Sequence, residues 1–103
     1  MGEYVTVASS ADVTEGQAVA FPVGGEEIAI ARVGGALYAF SDICTHRGCN
    51  LASGGEIDGT TIECECHGSV FSMETGAVVH PPADEPLATF PVQEVDGEIQ
   101  VEA

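Results

Sequence analysis

Apolar and polar positions alternate in short runs along this chain, and glycine bounds most of them. Tyr4-Val5-Thr6-Val7-Ala8 alternates and is rich in β-branched residues, which predicts a first strand. Ser9 to Gln17 is polar and reads as a connection, with room for one turn of helix between Ser9 and Val13. Gly16 marks the turn into a second strand, Ala18 to Val23. Gly24-Gly25 is a hairpin signal leading to Ile28–Val33, and Gly34-Gly35 leads in the same way to Ala36–Phe40, so a three-stranded antiparallel meander is expected. From Ser41 the runs shorten, with strands predicted only at Thr60–Cys64, Val70–Ser72 and, after the turn Glu74-Thr75-Gly76, Ala77–Val79. His80 to Pro86 must be irregular, because Pro81, Pro82 and Pro86 lack amide donors and fix φ. Two last strands, Leu87–Val95 and Glu98–Glu102, meet at Asp96-Gly97. Many short strands and glycine-marked turns predict an all-β fold of antiparallel sheets.

The 103 residues suit one domain with a modest core, near the size where a bound metal contributes to stability. Met1-Gly2-Glu3-Tyr4-Val5 lacks the basic and then apolar run of a secretory signal, and no apolar stretch approaches membrane-spanning length. A soluble, cytoplasmic, monomeric protein with no membrane partner is therefore expected. Only Arg32 and Arg47 oppose seventeen acids, for a formal charge of −15 without a single lysine. That balance argues against nucleic acid and anionic membranes, where contacts rely on Arg and Lys. It suits a carrier steered onto basic patches of partner proteins, and equally a chain kept soluble in a salty cytoplasm.

The chemistry is concentrated in two loops. Cys44-Thr45-His46-Arg47-Gly48-Cys49 and Cys64-Glu65-Cys66-His67-Gly68-Ser69 together hold all four cysteines and two of the three histidines. Each can offer one sulfur and one ring nitrogen to a metal, and residues 47–63 separate His46 from Cys64 by a tract able to bring the loop tips together. Two Cys and two His satisfy tetrahedral zinc by ligand count. The paired layout, the extra cysteines and the negative charge count against a zinc module. His80 has no thiol neighbour in sequence and reads as a solvated loop residue.

Cys-x-His, about seventeen residues, then Cys-x-x-His-Gly resembles the Rieske family, and the likeness extends to the approach Leu37–Asp42, Gly59, Thr75-Gly76 and Phe90-Pro91-Val92. The resemblance implies a β-sandwich-like base with an inserted cluster-binding subdomain at about residues 41–85, in a single domain spanning 1–103. It implies one [2Fe-2S] cluster, with Cys44 and Cys64 on one iron and His46 and His67 on the other, at potentials of roughly −150 to +300 mV. Ser69 would donate a hydrogen bond to the cluster, and a loop bearing Pro81 would cover it. Phe71 stands where high-potential members carry a Tyr, so one donor is missing and a lower potential is expected. Cys49 and Cys66 match a pair that forms a disulfide in the respiratory branch and that many oxygenase-system ferredoxins lack. They could instead be reduced thiols, as expected in a cytosol, or join a four-cysteine ligand set with the histidines as bystanders. The function implied is one-electron transport, from a flavin-containing reductase to a terminal oxygenase, with no bond chemistry of its own. A small subunit of a multi-component reductase such as nitrite reductase is the alternative within that class.

Overall fold

A computed structural model describes residues 3–44, 49–66, 68–81, 83 and 85–102. Strands β1 (Tyr4–Ser9), β2 (Ala18–Val23), β3 (Glu26–Val33) and β4 (Ala36–Ser41) are followed by the short β5 (Glu56–Asp58), β6 (Thr61–Glu63), β7 (Val70–Ser72) and β8 (Val78–His80). The chain ends with β9 (Thr89–Phe90), β10 (Val92–Val95) and β11 (Glu98–Glu102). They form three sheets, ordered β1-β11-β10, β2-β3-β4-β9 and β5-β6-β7-β8, and every strand pairing is antiparallel. The all-β expectation holds. Among the described residues no helix is long and apolar enough to cross a membrane. The helical turn expected near Ser9 is a 3-10 turn, Ser10–Asp12, in which Ser9 Oγ accepts from Ala11 N and Asp12 accepts from Ser9 N, a reciprocal cap.

The central sheet is covered on both faces, and β3 shows why. Ile28 to Ala31 are all buried, the pattern of a strand packed on two sides. Ile28 and Ile30 join Val23, Ala39, Ile99 and Val101 in the core shared with the β1-β11-β10 sheet. Ala29 and Ala31 face the other way, where their small side chains leave room for Phe40, Leu51, Ile62, Phe71, Met73 and the thiols Cys44 and Cys64. Side chains of period 2 thus assign one face of β3 to the sandwich and the other to the site.

The final strand pair corrects one expectation. Leu87–Val95 is not one strand but two in different sheets: β9 pairs with β4, β10 pairs with β11, and Pro91 sits at the crossing. Proline has no amide to donate to a ladder, so the chain changes sheets there, while its carbonyl still accepts from Glu102 N. Strand β5 lies in the tract read as loop, and β8 runs on to His80.

Arg32 secures the polar connection between the two base sheets. Its Nε donates to the Val13 carbonyl, and Nη2 donates to Ser10 O and to Glu94 on β10 at 2.9 Å. That hydrogen bond holds the Glu94 carboxyl below its ordinary value and pushes the guanidinium up. Glu15 is likewise held low, because its carboxylate accepts from the amides of Gly34 and Gly35.

Candidate metal centre

Two loops facing the alanine side of β3 are closed in the same way. Cys44 N donates to Cys49 O at 2.8 Å, and Cys64 N donates to Ser69 O at 2.7 Å, so each loop starts on a cysteine whose amide reaches the carbonyl five residues on. The second loop is tightened further by Gly68 N donating to Cys64 O. The equivalence seen in the motifs therefore extends to the backbone. Both thiols point inward, Cys44 and Cys64 each being 2% exposed within one apolar cluster.

Asp42 builds the mouth of the first loop. It is 1% exposed, and its carboxylate accepts from Ala52 N through Oδ1 and from Asn50 Nδ2 through Oδ2, both at 2.7 Å. Its own carbonyl takes Leu51 N, and the second proton of the Asn50 amide goes to Glu27 Oε2. The strand entering the loop is thereby tied to the segment leaving it. Sequence reasoning quoted Asp42 only as part of the approach to the motif and gave it no role; an acid ending an apolar strand just ahead of a cysteine loop was the signal available.

Ser69 is completely buried, and its Oγ accepts from Ala83 N at 3.1 Å. This joins the second loop to the proline-bearing segment. The hydroxyl proton remains available as a donor, because the bond to Ala83 uses the oxygen as acceptor. In that segment Ala83 is buried and Pro81 is exposed, with the Pro81 carbonyl accepting from Nδ1 of the exposed His80. Phe71, opposite Ile62 on β6, is fully buried and brings no hydroxyl.

Cys49 and Cys66 form a disulfide that joins the two loops across a Cα–Cα separation of 6.6 Å. Of the readings left open for this pair, the bridge is the one observed. Cys44 and Cys64 lie outside it. The sulfurs of Cys49, Cys64 and Cys66 all lie within 4.8 Å of one another. The loop contact is close elsewhere too: Gly54, after the first loop, has the Glu65 carboxylate of the second where a Cβ would project. His46 and His67, with Thr45, Arg47 and Gly48, lie outside the described residues.

The donor set fits an iron–sulfur group. Two buried thiols on equivalent loops supply soft sulfur ligands in an apolar setting, and the two other cysteines are taken up by the bridge. That leaves Cys44 and Cys64 as the only cysteine thiols of the chain, so four-cysteine ligation is incompatible with this structure.

Known proteins agree with this geometry. A profile of the Rieske [2Fe-2S] domain matches residues 3–91. The chain is 37% identical over 92 residues, 89% of its length and 86% of the relative's, to the 3-phenylpropionate/cinnamic acid dioxygenase ferredoxin subunit of Shigella flexneri. Its fold is similar to a ferredoxin of Sphingomonas yanoikuyae B1, with a TM-score of 0.90 at 31% identity, covering 98% of this chain and 99% of that one. It is also similar to a chain in a complex of reduced oxygenase and oxidised ferredoxin from carbazole 1,9a-dioxygenase, with a TM-score of 0.86 at 36% identity over 94% of this chain and 99% of that one. Motif, loop geometry, fold and relatives converge, and the chain belongs to the Rieske [2Fe-2S] domain family.

Proposed function

We propose that the protein is a soluble, cytoplasmic one-electron carrier, a Rieske-type ferredoxin that accepts electrons from a flavin-containing reductase and delivers them to a terminal oxygenase. The observation that carries this reading is the pair of buried thiols, Cys44 and Cys64, on two identically closed loops that a disulfide locks together. The ferredoxin subunit from Shigella flexneri and the carbazole dioxygenase complex support the oxygenase system as the setting.

In this reading Cys44 and Cys64 would hold one iron of a [2Fe-2S] cluster and His46 and His67 would hold the other. When bound, the cluster supplies one-electron oxidation and reduction, and its two neutral imidazoles make it less negative than an all-thiolate cluster and so easier to reduce. The chain does the rest. Asp42 fixes the first loop so that Cys44 points inward, Ser69 holds the covering segment through Ala83 and keeps one proton to donate, and the disulfide keeps the loops from parting. Hydrogen bonds to the ligand sulfurs tune such sites. Ser69 can supply one and Phe71 none, so the potential is expected below that of high-potential family members. The chain works as one domain, 1–103, with residues 41–85 as its cluster-binding part and Pro81 at the cover. It is expected to act as a monomer.

Iron and acid-labile sulfide analysis of anaerobically purified protein, with C44S and C64S variants alongside, tests the assignment. About two irons and two sulfides per chain are expected, lost in both variants. A colourless protein without sulfide after reconstitution would remove the function.

A further inference from the structure

A groove of about 390 Å³ runs between β2 and the segment leaving the first loop. The alternation of β2 explains its floor. Val19, Phe21 and Val23 pack into the core shared with the β1-β11-β10 sheet, which turns Ala18, Ala20 and Pro22 to the opposite face. On that face Ala29 and Ala31 of β3 are buried, whereas Ala20 and Pro22 of the edge strand β2 stay exposed. The far wall includes Ala52. The rim carries charge of one sign. Glu27, paired with Pro22 across the ladder, and Asp42 both accept from the same Asn50 Nδ2, each at 2.7 Å, so one neutral amide holds two carboxyl groups together. None of the described residues lining the groove is basic.

We propose that this groove docks an arginine side chain of the redox partner protein, its aliphatic stem lying on Ala18, Ala20 and Ala52 and its guanidinium meeting Glu27. A floor of small apolar side chains suits the slender stem of a long cationic residue, whose head stays at the rim. Asp42 is buried and its carboxylate is already engaged by Ala52 N and Asn50, so it adds negative field, while the exposed Glu27 makes the contact. The planar fork of arginine matches a carboxylate better than the point charge of lysine does. An added β-strand fits this edge poorly, because Pro22 removes an amide donor from β2. Asn50 directly follows Cys49, so a partner anchored here lies against the first loop. The groove thereby fixes the register of a complex that diffuse negative charge alone would only attract. That the partner is a redox protein rests on the proposed carrier function; the arginine chemistry of the groove does not.

Heteronuclear NMR of the oxidised, cluster-loaded protein, titrated with a short capped alanine peptide bearing one central arginine, tests this. Saturable shifts are expected at the amides of Ala18, Ala20 and Ala52. Affinity should fall about tenfold when citrulline replaces the arginine, and by a similar factor in E27Q. In A20W, which fills the floor from an exposed position, the shifts should vanish. No saturable shift at the groove, equal binding of the citrulline peptide, or binding unchanged by A20W would overturn the proposal. Reduction of cytochrome c, a basic electron acceptor, by the same samples reads the carrier function separately. A protein that reduces cytochrome c but does not bind the peptide keeps that function and loses the groove. Peptide binding by a protein without iron or sulfide would support the groove and remove the carrier.

Discussion

Asp42 shows how one side chain can shape a site that it does not itself form. Its carboxylate and carbonyl collect three donors from the segment leaving the first loop, and burial makes each bond costly to lose. Asp42→Ala would strand the Ala52 amide and half of the Asn50 amide, and should cost about 1–3 kcal/mol. Chemical denaturation would read that loss, and the variant should also release iron faster than wild type. An unchanged denaturation midpoint would show that the loop is held elsewhere. Ser69→Ala removes both the bond to Ala83 and a buried hydroxyl donor, so voltammetry should find a potential lower than wild type. His46 and His67 lie outside the described residues, whereas that Cys44 and Cys64 would sit on two paired loops was legible because the motif is local, a few residues at fixed spacing. Asp42 and the Ser69–Ala83 clamp were not, since their meaning lies in partners eight to fourteen residues away that only folding brings close.

Turn chemistry governs how the strands are joined. Val23 pairs with Glu26 across Gly24-Gly25, Val33 with Ala36 across Gly34-Gly35, and Val95 with Glu98 across Asp96-Gly97. Both central residues of each turn have positive φ, including Asp96 at 51°. These hairpins were readable from dipeptides alone. Pro91 and β5 were misread for opposite reasons: an apolar run hid a change of sheet, and a pair of acids hid a ladder that Ile62 and Phe71 stabilise from the next strands. Gly76 adds a constraint invisible in sequence. It has φ of 79°, and a Cβ there would strike the Leu87 carbonyl, whereas Gly97 has φ of 78° with open space around it. Gly76→Ala should therefore combine backbone strain with overpacking and cost at least about 2 kcal/mol. Gly97→Ala should cost only about 1–2 kcal/mol, and equal losses in thermal unfolding would contradict the packing argument. Removing the disulfide as C49S/C66S should cost ~3 kcal/mol and leave a cluster that forms but decays sooner.

Charge belongs to the whole molecule. With seventeen acids and two arginines, the chain places one of its cations, Arg32, in a clamp that joins both base sheets. Glu94 and Glu15 have carboxyl groups held below their ordinary value, so their contribution to stability is full above the usual carboxylate range and is lost as pH falls through the depressed values. Glu94→Gln should accordingly destabilise the protein at about pH 7, and the gap to wild type should close towards about pH 3. A gap independent of pH would show that the ion pair contributes nothing. The remaining acids are expected to steer the carrier to basic partners, so the rate of reduction by a partner should fall as salt rises; the same charge serving only solubility would leave that rate flat.

The most direct test of the account is pulsed EPR on the reduced, anaerobically purified protein. Two sulfur and two imidazole ligands predict a one-electron-reduced diiron signal carrying hyperfine coupling from two nitrogens, lost when His46 or His67 is replaced. A reduced-cluster signal without nitrogen coupling, or none with iron and sulfide absent, would contradict it.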